Sequence, residues 1–233
     1  SKNKTGRYFK YAIGEILLVV IGILLALQIN NWNESKKDRA YELKMLKELS
    51  IAIEEDLKYT ENHILDFRTK TAEKSVAFFK RLLKKEEADL DSLRFYFNWI
   101  TYGVSFQINE GPYQALKSVG MDKISNDSLR NSIQLFYDFL LPRNKQLITW
   151  GENDADQKQT PLKHLFFDDA KFKITDNEVR LIKPLVAGDF WLEPKFIELL
   201  KTSESRLRWR RNHFEYILQD LNTLKALIDS ELK

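Results

Sequence analysis

An all-α fold is predicted: a single N-terminal membrane-spanning helix continuing into a long helix, and a long C-terminal helix returning along it in an antiparallel bundle. Three observations predict it. Tyr11–Ile29 is an apolar run with only Glu15 and Gln28 as strongly polar interruptions. Neither Gly nor Pro occurs between Gly22 and Gly103 or after Pro194, and a chain free of both over such lengths, rich in Leu, Lys, Glu and Ile, reads as long helices. From Pro194 onward, apolar residues recur every seventh position.

Taken in order, residues 1–10 form a short basic tail and residues 11–32 a transmembrane helix. Its nineteen-residue apolar core, Tyr11–Ile29, rises about 28 Å, close to the hydrocarbon thickness of a bilayer. Tyr8 and Tyr11 at one edge and Trp32 at the other are placed as interfacial aromatics. A cleaved signal peptide fits less well, because Ala26 has Leu24 two positions before it and no A-x-A site results. Lys2, Lys4, Arg7 and Lys10 precede the span without an acid. Lys36, Lys37, Arg39 and Lys44 follow it among Glu34, Asp38 and Glu42. The expected orientation keeps the basic tail inside and the large domain outside.

Ala12, Glu15, Val19, Gly22, Ala26 and Ile29 follow one another at intervals of three and four, so they share one stripe of the helix. Gly22 and Ala26 make a small-xxx-small pair, a pattern that lets membrane helices approach closely. The carboxyl of Glu15 has two physical homes: against a partner helix on this stripe, or solvated at headgroup depth near Lys10. Ala12, Glu15, Val19, Gly22 and Ala26 are accordingly the candidate self-association residues.

Residues 33–102 are expected to form the first arm. Counting on from the anchor stripe gives a seam of Leu43, Leu46, Ser50, Ile53, Leu57, Thr60, Ile64 and Phe67, with no break between Asn30 and Asp38. Residues 103–193 hold the remaining breakers and are expected to be short helices and loops. There Pro112 suits a first helical turn, Gly120 a left-handed cap, and Ser125, Asn126 and Asp127 the N-terminus of a helix burying Leu129, Ile133, Phe136 and Leu140. Residues 194–233 form the second arm, with Leu200, Leu207, Phe214, Leu221 and Ile228 alternating with Ser203, Arg210, Ile217 and Leu224. It is expected to pack on the first arm.

The stretch "YAIGEILLVVIGILLALQINNWNE" resembles the N-terminal signature of a large bacterial family of uncharacterised single-pass membrane proteins. "LKSVGMDKISNDSLR", Leu116–Arg130, is similar to a second recurring segment of that family. The resemblance implies a protein of the bacterial inner membrane, N-terminus cytoplasmic, with an extracytoplasmic (periplasmic) helical domain. It implies no activity.

The formal charge of +3 is small and mixed, and excludes a global field directed at nucleic acid. The absence of cysteine excludes disulfides and thiolate chemistry. No nucleophile elbow, P-loop, dinucleotide turn or HExxH appears, so no enzyme, cofactor or metal is expected. "RLRWRR", Arg206–Arg211, has the residue types of a nucleic-acid contact, but on a helix its arginines spread over several faces. A structural ion-pair network is expected there, with Arg210 meeting Glu54–Asp56 or another buried carboxylate. "GENDADQ" lacks the central glycine and closing glutamate of a calcium loop and reads as a solvated linker.

Expected partners are membrane lipid, a second copy of the chain and an unidentified protein. The leading function is a membrane-anchored scaffold or interaction module. One alternative is a ligand-sensing domain with a pocket of Trp99, Tyr102, Gln107, Asn109 and Glu110, where aromatic walls meet a few polar groups. Another is proton-coupled transport or motor accessory work using Glu15.

Overall fold

In the computed structural model, residues 2–168, 171–175, 178–182 and 184–233 are described, with side chains from Ile13 onward. One helical rod runs from Lys2 to Leu83: α1 (Lys2–Tyr59), a π-helical segment (Thr60–Thr69) and α2 (Lys70–Leu83). There is no break between Asn30 and Asp38. From Ile13 to Ala40 every residue is exposed. Beyond Tyr41 the same helix acquires a buried face through Leu46, Leu49, Ile53 and Leu57.

The seam holds from Leu46 to Ile64 and then shifts. Lys70 N–H donates to Leu65 O, five residues back, and Thr69 Oγ1 donates to Ile64 O at 2.7 Å. A turn that counts in fives moves the buried stripe from Ile64 to Thr69, so Phe67, expected on the seam, is exposed and lies edge-on to Trp99 at 5.5 Å.

The helix expected to run to residue 102 ends instead at Leu83. Glu86 N–H donates to Arg81 O and Lys85 N–H to Leu82 O, the paired bonds of a Schellman stop. Lys85 takes the left-handed position with φ 60°, where glycine usually stands, so the stop has no glycine to announce it. A separate short helix, α3 (Leu93–Ile100), follows.

A run without regular secondary structure, residues 102–110, leads to α4 (Gly111–Val119), which has Pro112 in its first turn and stops at Gly120, φ 127°. That φ is strained for any side chain, so the backbone requires glycine there. Asn126 caps α5 (Asp127–Gln134) by accepting the Leu129 N–H at 3.1 Å. Leu129, Ile133 and Phe136 are buried as expected, and Leu140 partly so.

A second π-helical segment, Leu135–Leu140, joins α5 to α6 (Leu141–His164). Pro142 sits just past it, where a widened turn accommodates the missing N–H. At 24 residues, α6 corrects the expectation of only short helices in the middle. "GENDADQ" is a stretch of α6, with Glu152 and Ala155 buried, and not a linker.

The middle also contains strands, another departure from expectation. β1 (Lys171–Thr175) pairs antiparallel with β2 (Glu178–Ile182) as a ribbon. Its sequence alternates apolar and polar, the period of a strand.

The C-terminal helix α7 (Pro194–Glu231) buries all nine of its expected seam residues, including Ser203 and Arg210. It runs antiparallel to the rod. Arg39 meets Glu231 at 3.1 Å, Ser50 meets Asp229 at 2.5 Å, Glu73 meets Arg211 at 2.7 Å and Lys80 meets Glu204 at 2.7 Å. Its other flank packs on α6. The bundle therefore has a base, where the bare part of α1 emerges, and a tip, where α2 ends and α7 begins.

Candidate functional site

Two apolar cores fill the bundle. The basal one gathers Leu46, Leu49, Ile53, Tyr113, Phe214 and Leu221. The apical one gathers Phe78, Phe79, Phe97, Phe166, Phe190 and Phe196. Between them, α6 and α7 face each other through polar side chains. The α6 stripe Ile148, Glu152, Ala155, Gln159, Leu162 steps by four and three, and its Glu and Gln face Arg206 and Arg210 of α7.

Glu152 holds this layer together. Its Oε2 accepts from Arg206 Nε at 2.8 Å and Nη2 at 2.5 Å, and from Arg210 Nη2 at 2.9 Å; its Oε1 accepts from Arg210 Nε at 2.8 Å. The Val104 N–H adds a bond at 3.2 Å. Arg206 also reaches Gln159 Oε1 at 2.9 Å and Asp156 at 2.7 Å, and Arg210 reaches the Tyr102 carbonyl at 2.8 Å. Burial pushes the Glu152 carboxyl upward, but the hydrogen bonds and charges of Arg210 and Arg206 outweigh it and hold the carboxyl below its ordinary range. Burial lowers the affinity of Arg210 for its proton, with Glu152 opposing.

Two glycines let the layer close. A Cβ on Gly103 would lie 2.8 Å from Arg206 Nη2, and one on Gly151 would lie 2.2 Å from Trp209 Nε1. Outside Gly151, a shallow cleft of about 250 Å³ is walled by Trp150, Ala155, Thr202, Arg206 and Trp209. The arrangement pairs charges and fixes helix register; nothing in it poises a nucleophile beside a base.

The run "RLRWRR" supplies this layer. Arg206 and Arg210 bind Glu152, and Arg211 makes two hydrogen bonds to Glu73. Arg210 thus meets a buried carboxylate, but Glu152 of α6 takes that place and not the Glu54–Asp56 run. The partner comes from α6, within the stretch "GENDADQ" expected to be a linker.

A second polar cluster closes the base. Glu42 is buried; its Oε1 accepts from Ser125 N–H at 2.7 Å and Oγ at 2.9 Å, and its Oε2 from Arg39 at 2.7 Å. Lys123 binds Asp38 at 2.9 Å, and Asn126 binds Glu231 at 2.8 Å. The segment Leu116–Arg130 is thereby clasped to α1 where its exposed stretch gives way to the bundle, over Asp38–Glu42, and to the end of α7.

Of the anchor-stripe residues, Glu15, Val19, Gly22 and Ala26 are exposed, and a Cβ on Gly22 would meet nothing within 4 Å. Trp32 is exposed, with the Lys36 ammonium 3.7 Å above its ring. Ala12, Tyr8 and Tyr11 lie outside the residues whose side chains are described.

The five candidate pocket residues are spread out. Trp99 and Tyr102 lie tilted against each other at 4.5 Å, while the run that follows turns Val104, Phe106 and Ile108 inward and leaves Gln107 and Asn109 exposed. Strand-like alternation directs these polar side chains away from the aromatics that would wall a pocket. Asn109 instead gives its backbone N–H to Asp56 at 3.1 Å, and Glu110 pairs with Lys145.

One helix among the described residues is long and apolar enough to cross a membrane, and its apolar window lies wholly unburied near the N-terminus. Residues 15–179 match the model of a family described as "Family of unknown function (DUF6090)". No curated protein and no solved structure matches.

Proposed function

The chain belongs to that family of unknown function, and we propose that it acts as a membrane-anchored helical interaction module, not as an enzyme. One observation carries this reading. A single unbroken helix is apolar and bare on every face over Ile13–Ile29, yet from Tyr41 it is a seamed member of a packed bundle. Apolar surface of that extent is costly in water and neutral in lipid, whereas the bundle carries a normally charged surface. Because the helix does not break, the bilayer would fix the position and the tilt of the whole body.

The stripe of Glu15, Val19, Gly22 and Ala26 supports self-association in the membrane, where small residues admit a partner helix and a carboxyl facing that partner avoids lipid. The ion pairs of Arg206, Arg210 and Arg211 support a structural role for these three arginines of α7, which occupies the charges that a nucleic acid would need. The resemblance noted above supports the bacterial inner membrane, with the bundle on the periplasmic face.

The test is fractionation of the full-length chain from cells. It is expected in the membrane fraction, resistant to alkaline carbonate and released by detergent, with the bundle digested by protease only from the periplasmic side. Crosslinking in those membranes is expected to yield dimers that Gly22→Leu weakens. Recovery as a freely soluble species would end the proposal.

A further inference from the structure

The ribbon β1–β2 is the part of the bundle that the packing does not use. Its register pairs Phe172 with Leu181 and Ile174 with Val179, so these four side chains lie on one face. Lys171, Lys173, Thr175, Glu178, Arg180 and Ile182 take the other. The four apolar residues are 58–75% exposed, far more than large side chains in a sheet normally are.

The base of the ribbon is secured. Phe167 bridges Leu185, Asp168 N–H donates to Pro184 O at 2.8 Å, and Phe166 is buried in the apical core. The charged face of the ribbon shares a cleft with Arg94 of α3, which leaves the apolar face turned outward. Two strands alone in water are marginal, so a ribbon with one bare apolar face calls for a cover.

We infer that this face docks on the same face of a second copy, tip to tip across a twofold axis. Three features favour a copy over a foreign partner. Chains moored in one bilayer by an unbroken rod present their tips at one height, roughly 75 Å beyond Trp32 by the rise of about 51 helical residues to Leu83; this step rests on the anchored reading proposed above. A twofold contact needs a patch complementary to itself, and two cross-strand pairs of similar bulk provide one. The cations Lys171, Lys173 and Arg180 lie on the opposite face and would point away from the joint, so like charges do not meet.

The chain has no cysteine, so single cysteines report the contact cleanly. Full-length Ile174→Cys and, as a second reporter of the same face, Val179→Cys would be oxidised in native membranes beside Lys173→Cys, whose side chain lies on the charged face. A disulfide-linked homodimer is expected from the first two and not from Lys173→Cys. The doubly charged variant Phe172→Glu/Leu181→Glu, placed in the Ile174→Cys chain, is expected to abolish the homodimer while helical circular dichroism is retained. Equal crosslinking from both faces, no crosslinking from the apolar face, or a heterodimer with another protein there would overturn the inference. The fraction in which the chain is recovered separates this failure from failure of the anchor: a membrane-bound chain with no apolar-face link refutes only the tip contact.

Discussion

Arg210 and Glu152 join α7 to α6 through bonds of 2.8 and 2.9 Å, each side chain buried and each lying between two apolar cores. A charged pair so placed costs desolvation energy on both sides, and it tolerates no shift of one helix along the other by a turn. The layer sets register more than it adds stability.

Removing one partner should therefore hurt far more than removing all. Glu152→Ala leaves two buried guanidiniums without their carboxylate and is expected to cost about 3–5 kcal/mol. Replacing Glu152, Arg206 and Arg210 together by Leu, Leu and Met should bring stability back to near or above the parent. Denaturant titration of the three chains in one detergent checks this; a triple variant as unstable as the single one would reject it.

Asp56 gives a pH signature. Burial pushes its carboxyl up to about 6, against the lowering effect of the Asn109 N–H that it accepts. The folded state holds the proton more tightly than the unfolded one. This contribution is thus fully present below about pH 4 and is lost as pH rises through 6, a swing of about 2–3 kcal/mol. Asp56→Asn keeps an acceptor for Asn109 and should flatten that component. Parallel stability curves for the two chains between pH 4 and 7 would contradict it.

Glu42→Ala should loosen the base. The Ser125 N–H loses its carboxylate acceptor and Arg39 one of its two carboxylate partners, for about 2–3 kcal/mol. Amide exchange at Ser125 and proteolysis at Lys123 are expected to speed up while the apical core stays protected. Unchanged exchange at Ser125 would show that the clasp is dispensable.

Gly151→Ala tests how tightly α6 and α7 meet. The new methyl group falls 2.2 Å from Trp209 Nε1, so the indole or a helix must move, at about 1–3 kcal/mol. The fluorescence of Trp209 and its edge-on neighbour Trp150 should shift with it. A chain of parental stability and spectrum would place Trp209 elsewhere.

Regular helices were readable from the residues alone, and departures from the helical count were not. The α7 seam was legible throughout, because Leu200 to Ile228 keep one period and buried positions follow it. The first seam was legible to Ile64 and failed at Phe67, since a π-helical turn leaves no residue type as its mark. The end at Leu83 was hidden because Lys85 adopts a conformation that glycine normally signals. Glu152 and Gln159 did carry a signal: their spacing with Ile148, Ala155 and Leu162 is a buried helical stripe. Its polar members, and the resemblance of "GENDADQ" to a cation loop, masked it. The ribbon sequence alternates over only five residues a strand, too short a run for its period to stand out between two long helices.

The segment Thr60–Thr69 sets the azimuth of everything above it. Each residue of an α-helix turns the chain by about 100°, so deleting one residue there would swing Phe78 and Phe79 roughly a quarter-turn out of the apical core. Length changes in this segment are therefore torsional changes, and the rod can be shortened or lengthened only in steps that restore its angle.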